Sequence, residues 1–498
     1  MRKFLALASV LLASVTFVFG QRVAPEHVPG ELLIQLSDNK AIGKLELELQ
    51  EVNGKETGFK VEKLVSEPMH VWLVSFDDSR IDEESMKLAC WKHEMVTVTQ
   101  YNHIIEQRLT VPTDPNFGSQ WQWVNNGGGG GTADSDVDAD EAWDITTGGL
   151  TATGDTIVVC VIEGGGANYN HVDLIENHWR NYDEIPGNGI DDDNNGYVDD
   201  FNGWNSGGNN GTIAAGGHGT SVSGMIGAKG QNGIGVVGMN WDVKIMQVDM
   251  GNIGSGSNPN EANVIAAYTY PLVMRQRYNN SNGAEGAFVV ATNASWGIDA
   301  ADPANAPLWC AFYDTLGKYG ILNCGSTTNS ALNVDVQGDL PTACPSPYMI
   351  SVTATDNNDV RTFSGYGQTT IDVGAPGDNI YTTSGSSSYT STSGTSFAGP
   401  LTAGIIALIY SAPCTSMMAL TNADPEAGAN FVRDALFNGV DPKPNLTTET
   451  VTGGRVNAFN SLQWVLNNCG GGSCIDAFNL TTGNLTDVEA QLSWVSTA

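Results

Sequence analysis

The sequence predicts an α/β protein whose main domain is a doubly wound, mainly parallel sheet. From about residue 155 to residue 410, short apolar runs alternate with helical patterns, as expected for strands joined by helical crossovers. The runs are almost continuously apolar, which is typical of parallel strands covered on both faces. They occupy residues 157–162, 243–248, 287–291, 321–324 and 349–354. Because sites in such sheets form at the carboxyl ends of the strands, we expect functional residues directly after these runs.

A secretory leader is predicted at the start of the chain. Arg2 and Lys3 precede an apolar run that ends at Phe19, so residues 1–20 have the pattern of a signal peptide cleaved near Gly20 or Gln21. A single N-terminal membrane anchor is the alternative interpretation. No later apolar run is long enough for a membrane-spanning helix, so we expect a secreted protein that is not inserted in a membrane after cleavage.

Three further segments follow the leader. Residues 21–112 carry more charge than the rest and predict a small α+β domain, with a strand over residues 30–36 and a helix over residues 79–93. A Pro-rich boundary at residues 111–115 separates it from the main domain, residues 113–468. Residues 469–498 contain a Gly-rich linker and a short alternating segment that is too small to bury a core of its own.

The composition limits the classes of partner. In 498 residues, 22 Lys and Arg stand against 55 Asp and Glu, a formal net charge of −33, which repels nucleic acids and anionic membrane surfaces. The eight cysteines are expected in an oxidising compartment, where disulfides persist. Their pairing cannot be deduced from the sequence. Cys160, inside an apolar run, is predicted to be a buried free thiol.

Three positions carry the pattern of a nucleophilic site. Ser396 lies among small residues directly before an apolar helix predicted over residues 402–410, which places its hydroxyl at a positive helix end. Pro400 is expected in the first turn, where the missing N–H is harmless. His218 stands between glycines before a second helix of small residues, and glycines allow close backbone approach. Glu163 ends the apolar run over residues 157–162, where a buried acid requires a partner.

The order acid, histidine, serine, with these surroundings, resembles the subtilisin-like serine peptidases over about residues 115–465. The resemblance implies a secreted endopeptidase that cleaves proteins or peptides through an acyl-enzyme. Residues 21–112 resemble the inhibitory propeptide of that family, which implies an inactive precursor matured by a cut near residues 108–115. Residues 474–498 resemble the first strands of an unfinished fibronectin type III module.

The resemblance assigns roles to individual residues. Ser396 matches the nucleophile and His218 the general base. Glu163 falls where the family has aspartate. Asn329 aligns with the asparagine that donates to the oxyanion, and the segment Ser295, Trp296 and Gly297 aligns with the strand that binds the substrate backbone.

Two departures from the family pattern accompany these assignments. Glu163 is one methylene longer than aspartate, so its carboxylate must fold back or its strand must retreat to reach His218. Around Asn329, the sequence Ser326-Thr327-Thr328 replaces the usual Ala-Ala-Gly, and a β-branched residue takes the place of glycine.

An acidic loop over residues 189–200 is similar to the first half of an EF-hand. It places oxygen donors at alternating positions around a glycine, which predicts a structural calcium site. The proposed ligands are the side chains of Asp191, Asp193, Asn195 and Asp199, or Asp200 in place of Asp199, with the carbonyl of Tyr197. The alternative interpretation is a solvated acidic loop that binds no cation.

Other functions compete with the peptidase. The altered acid and the altered Asn329 loop leave open a catalytically impaired relative that only binds peptides. An α/β-hydrolase requires its histidine after the serine, whereas all seven histidines precede Ser396. His171 and His178 flank Asp173, but their spacing matches no zinc peptidase motif.

Overall fold

The computed structural model describes residues 27–38, 42–104, 110–251 and 259–470. The predicted signal peptide and the fibronectin-like segment lie outside these residues. The chain divides into two compact units after Arg108.

The first unit is a small α+β fold. Its elements are β1 (His27–Leu36), α1 (Ile42–Glu48), β2 (Glu51–Val52), β3 (Lys55–Glu56), β4 (Lys60–Ser66), β5 (Val71–Ser75), α2 (Glu83–Lys92) and β6 (Val96–His103). Four strands form an antiparallel sheet in the order β4-β5-β1-β6. The predicted strand over residues 30–36 lies within β1. The predicted helix is shorter than expected, because the Asp82 carboxylate accepts from Ser85 N at 2.9 Å and fixes the helix start.

The second unit contains most of the chain. Its strands are β7 (Ile157–Glu163), β8 (Trp204–Asn205), β9 (Lys244–Asp249), β10 (Phe288–Ala294), β11 (Ile298–Asp299), β12 (Leu322–Ser326), β13 (Asp339–Leu340), β14 (Met349–Thr355), β15 (Val373–Pro376), β16 (Ile380–Ser384), β17 (Ser388–Thr392), β18 (Asp441–Pro442) and β19 (Gly454–Arg455). Its α-helices are α3 (Ala139–Ile145), α4 (Gly217–Gly227), α5 (Glu261–Ser281), α6 (Pro307–Lys318), α7 (Val334–Gln337), α8 (Thr395–Tyr410), α9 (Thr415–Ala423), α10 (Pro425–Asn438) and α11 (Ala458–Asn468). Short 3-10 turns lie at Phe117–Ser119, Gly128–Gly130 and Pro303–Asn305.

Nine of these strands form one sheet in the order β18-β19-β15-β14-β12-β10-β7-β9-β8. Every pair in it is parallel except β18 with β19. The five strands predicted from apolar runs are β7, β9, β10, β12 and β14. Two antiparallel ribbons, β11 with β13 and β16 with β17, lie outside the sheet.

Both faces of the sheet are buried. Along β7, Val159 and Val161 join a core with α4, α8, α10 and α11, whereas Val158, Cys160 and Ile162 join a second core with α5 and α6. Alternate side chains of one strand point to opposite faces, so helices cover the sheet on both sides. The predicted doubly wound α/β fold is therefore confirmed.

The strand order reverses next to β7. From β7 the chain passes to β9 on one side, and β10 then pairs with β7 on the other side. Such a reversal opens a crevice at the carboxyl ends of the two strands, where α/β proteins bind ligands. Glu163 closes β7 and Ser295 directly follows β10, so both lie at this edge.

Within the described ranges, disulfides join Cys310 to Cys344 and Cys414 to Cys469. Cys160 is a buried free thiol, as predicted. In the described residues, no single helix has the length and apolar character needed to cross a membrane, and only the bent pair α8 and α9 passes by length and composition together.

Candidate active site

Glu163 and His218 form a direct pair at the end of β7. Glu163 is 2% exposed, and its Oε2 lies 2.9 Å from His218 Nδ1. The histidine side chain is 45% exposed, so the opposite face of the ring is open. The glutamate therefore reaches the histidine despite its extra methylene, while its second oxygen, Oε1, is buried without a hydrogen-bond partner.

This pair shifts both titrations upward. Burial raises the pKa of Glu163, although the hydrogen bond and charge of His218 oppose the shift. Burial alone lowers the pKa of His218, but the hydrogen bond and charge of Glu163 outweigh burial, so the net pKa of His218 is raised. A carboxylate behind a histidine stabilises the imidazolium that forms when the ring accepts a proton.

Small residues around His218 make room for the pair. His218 is the second residue of α4, and Gly219 follows it. A Cβ on Gly219 would lie 2.3 Å from Gly166 O and 3.1 Å from Glu163 Cγ. Glycine is therefore required here, chiefly because a side chain would collide with the Gly166 carbonyl.

A second acid supports the loop after β7. Asp249 ends β9 directly beside Glu163 in register. Its carboxylate accepts from the backbone N–H groups of Gly165, Gly251 and Ala214 at 3.1, 2.8 and 3.2 Å. Asp249 is not identified from the sequence. The signal that could have found it is its position, since it is an acid directly after the predicted strand over residues 243–248. Because these backbone groups occupy its oxygens, Asp249 has a positioning role.

Ser396 lies in the first turn of α8, which begins earlier than predicted. Pro400 consequently lies inside the helix rather than in its first turn, and it cannot donate to the carbonyl of Ser396 four residues before it. Ser295 Oγ donates to that carbonyl instead, at 2.9 Å. In return, Ser396 Oγ donates to Ser295 O over a long 3.4 Å. The nucleophile candidate is thus tied to the segment that follows β10.

His218 and Ser396 are neighbours without a direct bond. The His218 ring lies 6.0 Å from the ring of Phe397, the residue after Ser396, centroid to centroid. Among the described residues, no hydrogen bond joins the side chains of His218 and Ser396. Catalytic hydrogen bonds are commonly long in a ligand-free site and shorten when substrate binds.

Asn329 is fixed beside Ser396 by the start of α8. Its Oδ1 accepts from Thr395 N at 2.9 Å and from Thr395 Oγ1 at 3.1 Å. The amide oxygen is therefore occupied, which leaves the Nδ2 donor for another acceptor. Thr328, which replaces the family's glycine, has no left-handed backbone, and its Oγ1 accepts from Ser330 N at 3.1 Å. The β-branched residue therefore fits this loop without strain.

The segment after β10 forms one wall of a cavity at this edge. Trp296 Nε1 donates to Ile162 O at 2.7 Å, and a Cβ on Gly297 would lie only 2.1 Å from Leu340 O. The cavity has a volume of about 80 Å³, and its lining includes Ser396, Asn329 and all three residues of this segment. A larger cavity of about 640 Å³ contains none of the predicted catalytic residues.

The acidic loop brings together only part of the predicted calcium ligand set. Carboxylate oxygens of Asp191, Asp193 and Glu184 lie within 4.8 Å of one another. Glu184 precedes the predicted loop and was missed by the sequence pattern. Asp199 instead accepts from the backbone N–H groups of residues 187–189, its Oδ1 at 2.8 and 3.0 Å from the first two.

The other two predicted ligands have neighbours within the loop. Asn195 Oδ1 accepts from Tyr197 N at 2.7 Å, and Asn195 Nδ2 donates to Asp193 and Asp200 at 3.1 and 2.9 Å. An all-oxygen set of carboxylates suits a hard cation such as Ca²⁺.

The parallel α/β sheet, the acid–histidine pair and the helix-start serine beside Asn329 are together the chemical set of a serine peptidase. Residues 154–457 match the model of the subtilase family. The chain belongs to this family.

Individual relatives match shorter stretches. Thermitase from Thermoactinomyces vulgaris is 38% identical over 116 residues, covering 23% of this chain and 36% of thermitase. An extracellular protease of Xanthomonas campestris is 34% identical over 149 residues, 25% of either chain. Subtilisin-like protease 1 of Plasmodium berghei is 29% identical over 350 residues, 65% of this chain and 52% of the relative. The matches thus span about a quarter to a half of these relatives.

A protease from Pseudoalteromonas arctica covers 71% of this chain and 99% of its own, with 21% identity and a TM-score of 0.48.

Proposed function

We propose that this chain is a secreted serine endopeptidase that hydrolyses peptide bonds through an acyl-enzyme on Ser396. The observation that carries the proposal is the pair of Glu163 and His218, 2.9 Å apart, at the same sheet edge as Ser396 and its adjoining cavity. A buried acid costs free energy unless it serves a partner, and here the partner is a histidine with one face open.

In the first half of the reaction, Ser396 Oγ attacks the substrate carbonyl and transfers its proton to His218 Nε2. Glu163 holds the ring by Nδ1 and stabilises its positive charge. The tetrahedral intermediate collapses when His218 passes the proton to the leaving amine, which leaves an ester on Ser396. Since the hydrogen bond from Ser396 Oγ to Ser295 O is long, at 3.4 Å, little is lost when the hydroxyl turns to His218.

In the second half, a water molecule takes the place of the amine. His218 removes a proton from this water, the hydroxide attacks the ester, and the proton returns to Ser396 Oγ as the acid product leaves. In both halves, negative charge develops on the carbonyl oxygen. Asn329 Nδ2 and the N–H of Ser396, in the unbonded first turn of α8, are the donors that stabilise it.

The test is covalent labelling of the secreted, processed protein with a fluorophosphonate, run beside casein hydrolysis. Ser396→Ala should lose both labelling and turnover. Ser387→Ala, an exposed serine elsewhere, should keep both and serves as the matched control. A processed parent protein that is neither labelled nor active would contradict the proposal.

A second candidate function is a catalytically impaired protein that binds peptides. Two observations favour it: the unpartnered Oε1 of Glu163, and the separation of His218 from Ser396 among the described residues. Turnover that disappears in Ser396→Ala would refute this alternative.

We further propose that the first unit acts as a propeptide, which assists folding and blocks the substrate cleft until a cut near residues 108–115. A signal peptide at residues 1–20 would direct export, and residues 469–498 would link to the start of a fibronectin-like module. Peptide substrates and the chain's own propeptide are the proposed partners.

Calcium is the proposed structural ion of the acidic loop. Asp191 and Asp193 would bind it together with Glu184, whereas Asn195, Tyr197 and Asp199 would shape the loop around it. Three carboxylates this close repel one another unless a cation or protons neutralise them.

A further inference from the structure

The cavity beside Ser396 contains two carboxylates that the proposed reaction does not use. Asp299 on β11 and Asp339 on β13 line it together with Ser396 and Asn329. The two residues lie directly opposite each other in the antiparallel ribbon. Side chains of directly opposed residues lie on the same face of a ribbon, so both carboxylates belong to one wall.

Asp339 is buried and held in place. It is 1% exposed, and its Oδ2 accepts from Thr327 Oγ1 at 3.1 Å and from Thr342 Oγ1 at 2.5 Å. Both bonds are to Oδ2, and a carboxylate offers about four acceptor sites, so acceptor sites of Asp339 remain for a ligand.

The part of the chain that the structure describes places no counter-charge on these two carboxylates. Within the described part of the chain, no lysine, arginine or histidine makes an ion pair with Asp299 or Asp339. Burial, with a smaller contribution from the nearby charge of Asp299, raises the pKa of Asp339 to about 6, although the hydrogen bonds from Thr342 and Thr327 oppose the shift. Two acids facing each other without a counter-charge favour a cationic ligand.

The remaining walls are polar as well. Ser326 also lines the cavity, and its Oγ is buried with no hydrogen-bond partner. Trp296 is the one large apolar side chain of the lining. A pocket for an apolar side chain would be lined mainly by hydrophobic groups. This buried and unpartnered hydroxyl instead indicates a polar ligand.

We infer that this cavity receives the side chain of the substrate residue before the scissile bond, and that Asp339 and Asp299 select a lysine or arginine there. The inference rests on the proposed function. The carbonyl that Ser396 Oγ attacks and Asn329 binds is bonded directly to the Cα that carries this side chain. The cavity shared by Ser396 and Asn329 is therefore the space that this side chain enters.

The first test digests a denatured protein with the processed enzyme and reads the cut positions by mass spectrometry. Cuts should fall after lysine or arginine. Cuts spread over apolar residues would overturn this inference but leave the peptidase proposal intact. If Ser396 is not labelled by a fluorophosphonate and nothing is cut, the proposed function fails, and this inference fails with it.

The second test compares matched peptides that differ only in charge at the residue before the cut. Arginine against citrulline, and lysine against norleucine, should each differ in kcat/KM by about 100-fold, the scale of a desolvated charge pair. Asp339→Asn and Asp299→Asn should each reduce this ratio at least about tenfold, through a loss of kcat/KM for the charged peptides.

A control separates charge selection from damage to the fold. Asp302→Asn removes one negative charge three residues from Asp299 and retains a side chain able to cap Ala304 N. The ratio of kcat/KM between charged and neutral peptides should therefore be the same in this variant as in the parent. The fluorophosphonate labelling rate reports whether each variant still has a folded site. If Asp339→Asn does not fold, Asp299→Asn decides, because its side chain is exposed. An unchanged ratio in a folded Asp299→Asn enzyme would then overturn the inference.

Discussion

Shortening Glu163 to aspartate should weaken the proposed enzyme, although aspartate is the family's usual residue here. Glu163 Oε2 now lies 2.9 Å from His218 Nδ1. Removal of one methylene withdraws the carboxylate by about 1.5 Å, the length of a C–C bond. The separation becomes about 4 Å, which is too long for a hydrogen bond. His218 then loses both its orientation and the charge contact that raises its pKa.

The expected loss in kcat is about 100-fold, the effect of a misplacement of roughly 1 Å at a catalytic group. The deleted methylene also removes buried apolar contact worth about 1 kcal/mol, so the melting temperature should fall slightly. The assay measures kcat, KM and the fluorophosphonate labelling rate of Glu163→Asp against the parent. Glu176→Asp, at an exposed position, controls for the change of residue type. A Glu163→Asp enzyme as fast as the parent would refute the reasoning.

Four further outcomes are expected. Glu163→Gln removes the charge that raises the pKa of His218, so this pKa should fall. Because His218 must be neutral to act as the base, the acidic limb of the pH–rate profile should move to lower pH, while kcat falls about 10⁴-fold. Asn329→Ala should lower kcat about 10²- to 10³-fold with KM little changed, because its donor acts on the developing oxyanion; a change confined to KM would contradict this role. Chelation of calcium should lower the melting temperature of the parent and have less effect on Asp191→Asn; equal melting with and without chelator in the parent would exclude a structural ion. The maturation cut should fall directly after Arg108, because the cavity is proposed to select a basic residue and Arg108 is the only lysine or arginine between Lys92 and Arg180. N-terminal sequencing of the mature protein checks the position of this cut. Arg108→Gln should accumulate precursor and the control Lys92→Gln should not, whereas unchanged maturation of Arg108→Gln would contradict cleavage there.

Continuous apolar runs were enough to predict the sheet, because strands buried on both faces carry little else. The same runs located Glu163 and the segment beginning at Ser295, since both directly follow predicted strands. The start of α8 was harder to predict. Small residues around Ser396 are weak helix formers, and Pro400 indicated a first turn, whereas the helix tolerates Pro400 inside it because Ser295 satisfies the freed carbonyl.

Residues that act through tertiary contacts could not be found in the same way. Asp339 and Asp299 are 40 positions apart and meet only because β11 pairs with β13. Glu184 joins Asp191 and Asp193 from outside the EF-hand-like pattern. No periodicity or motif in the sequence links such positions, since the pairing of short ribbons depends on how long loops close.

The arrangement separates the proposed chemistry from the proposed selectivity. β10 and β12 are neighbouring parallel strands, and the chain after each of them supplies one residue beside the nucleophile, Ser295 and Asn329. The same two loops continue into the cavity wall, where Asp299 lies on a ribbon outside the main sheet. Because Ser295 and Asn329 are held by hydrogen bonds to residues 395–396, changes on the ribbon can alter the preferred side chain without moving the serine. Replacement of Asp299 by a neutral residue should therefore change which bond is cut far more than it changes the rate at which the acyl-enzyme forms on a neutral substrate.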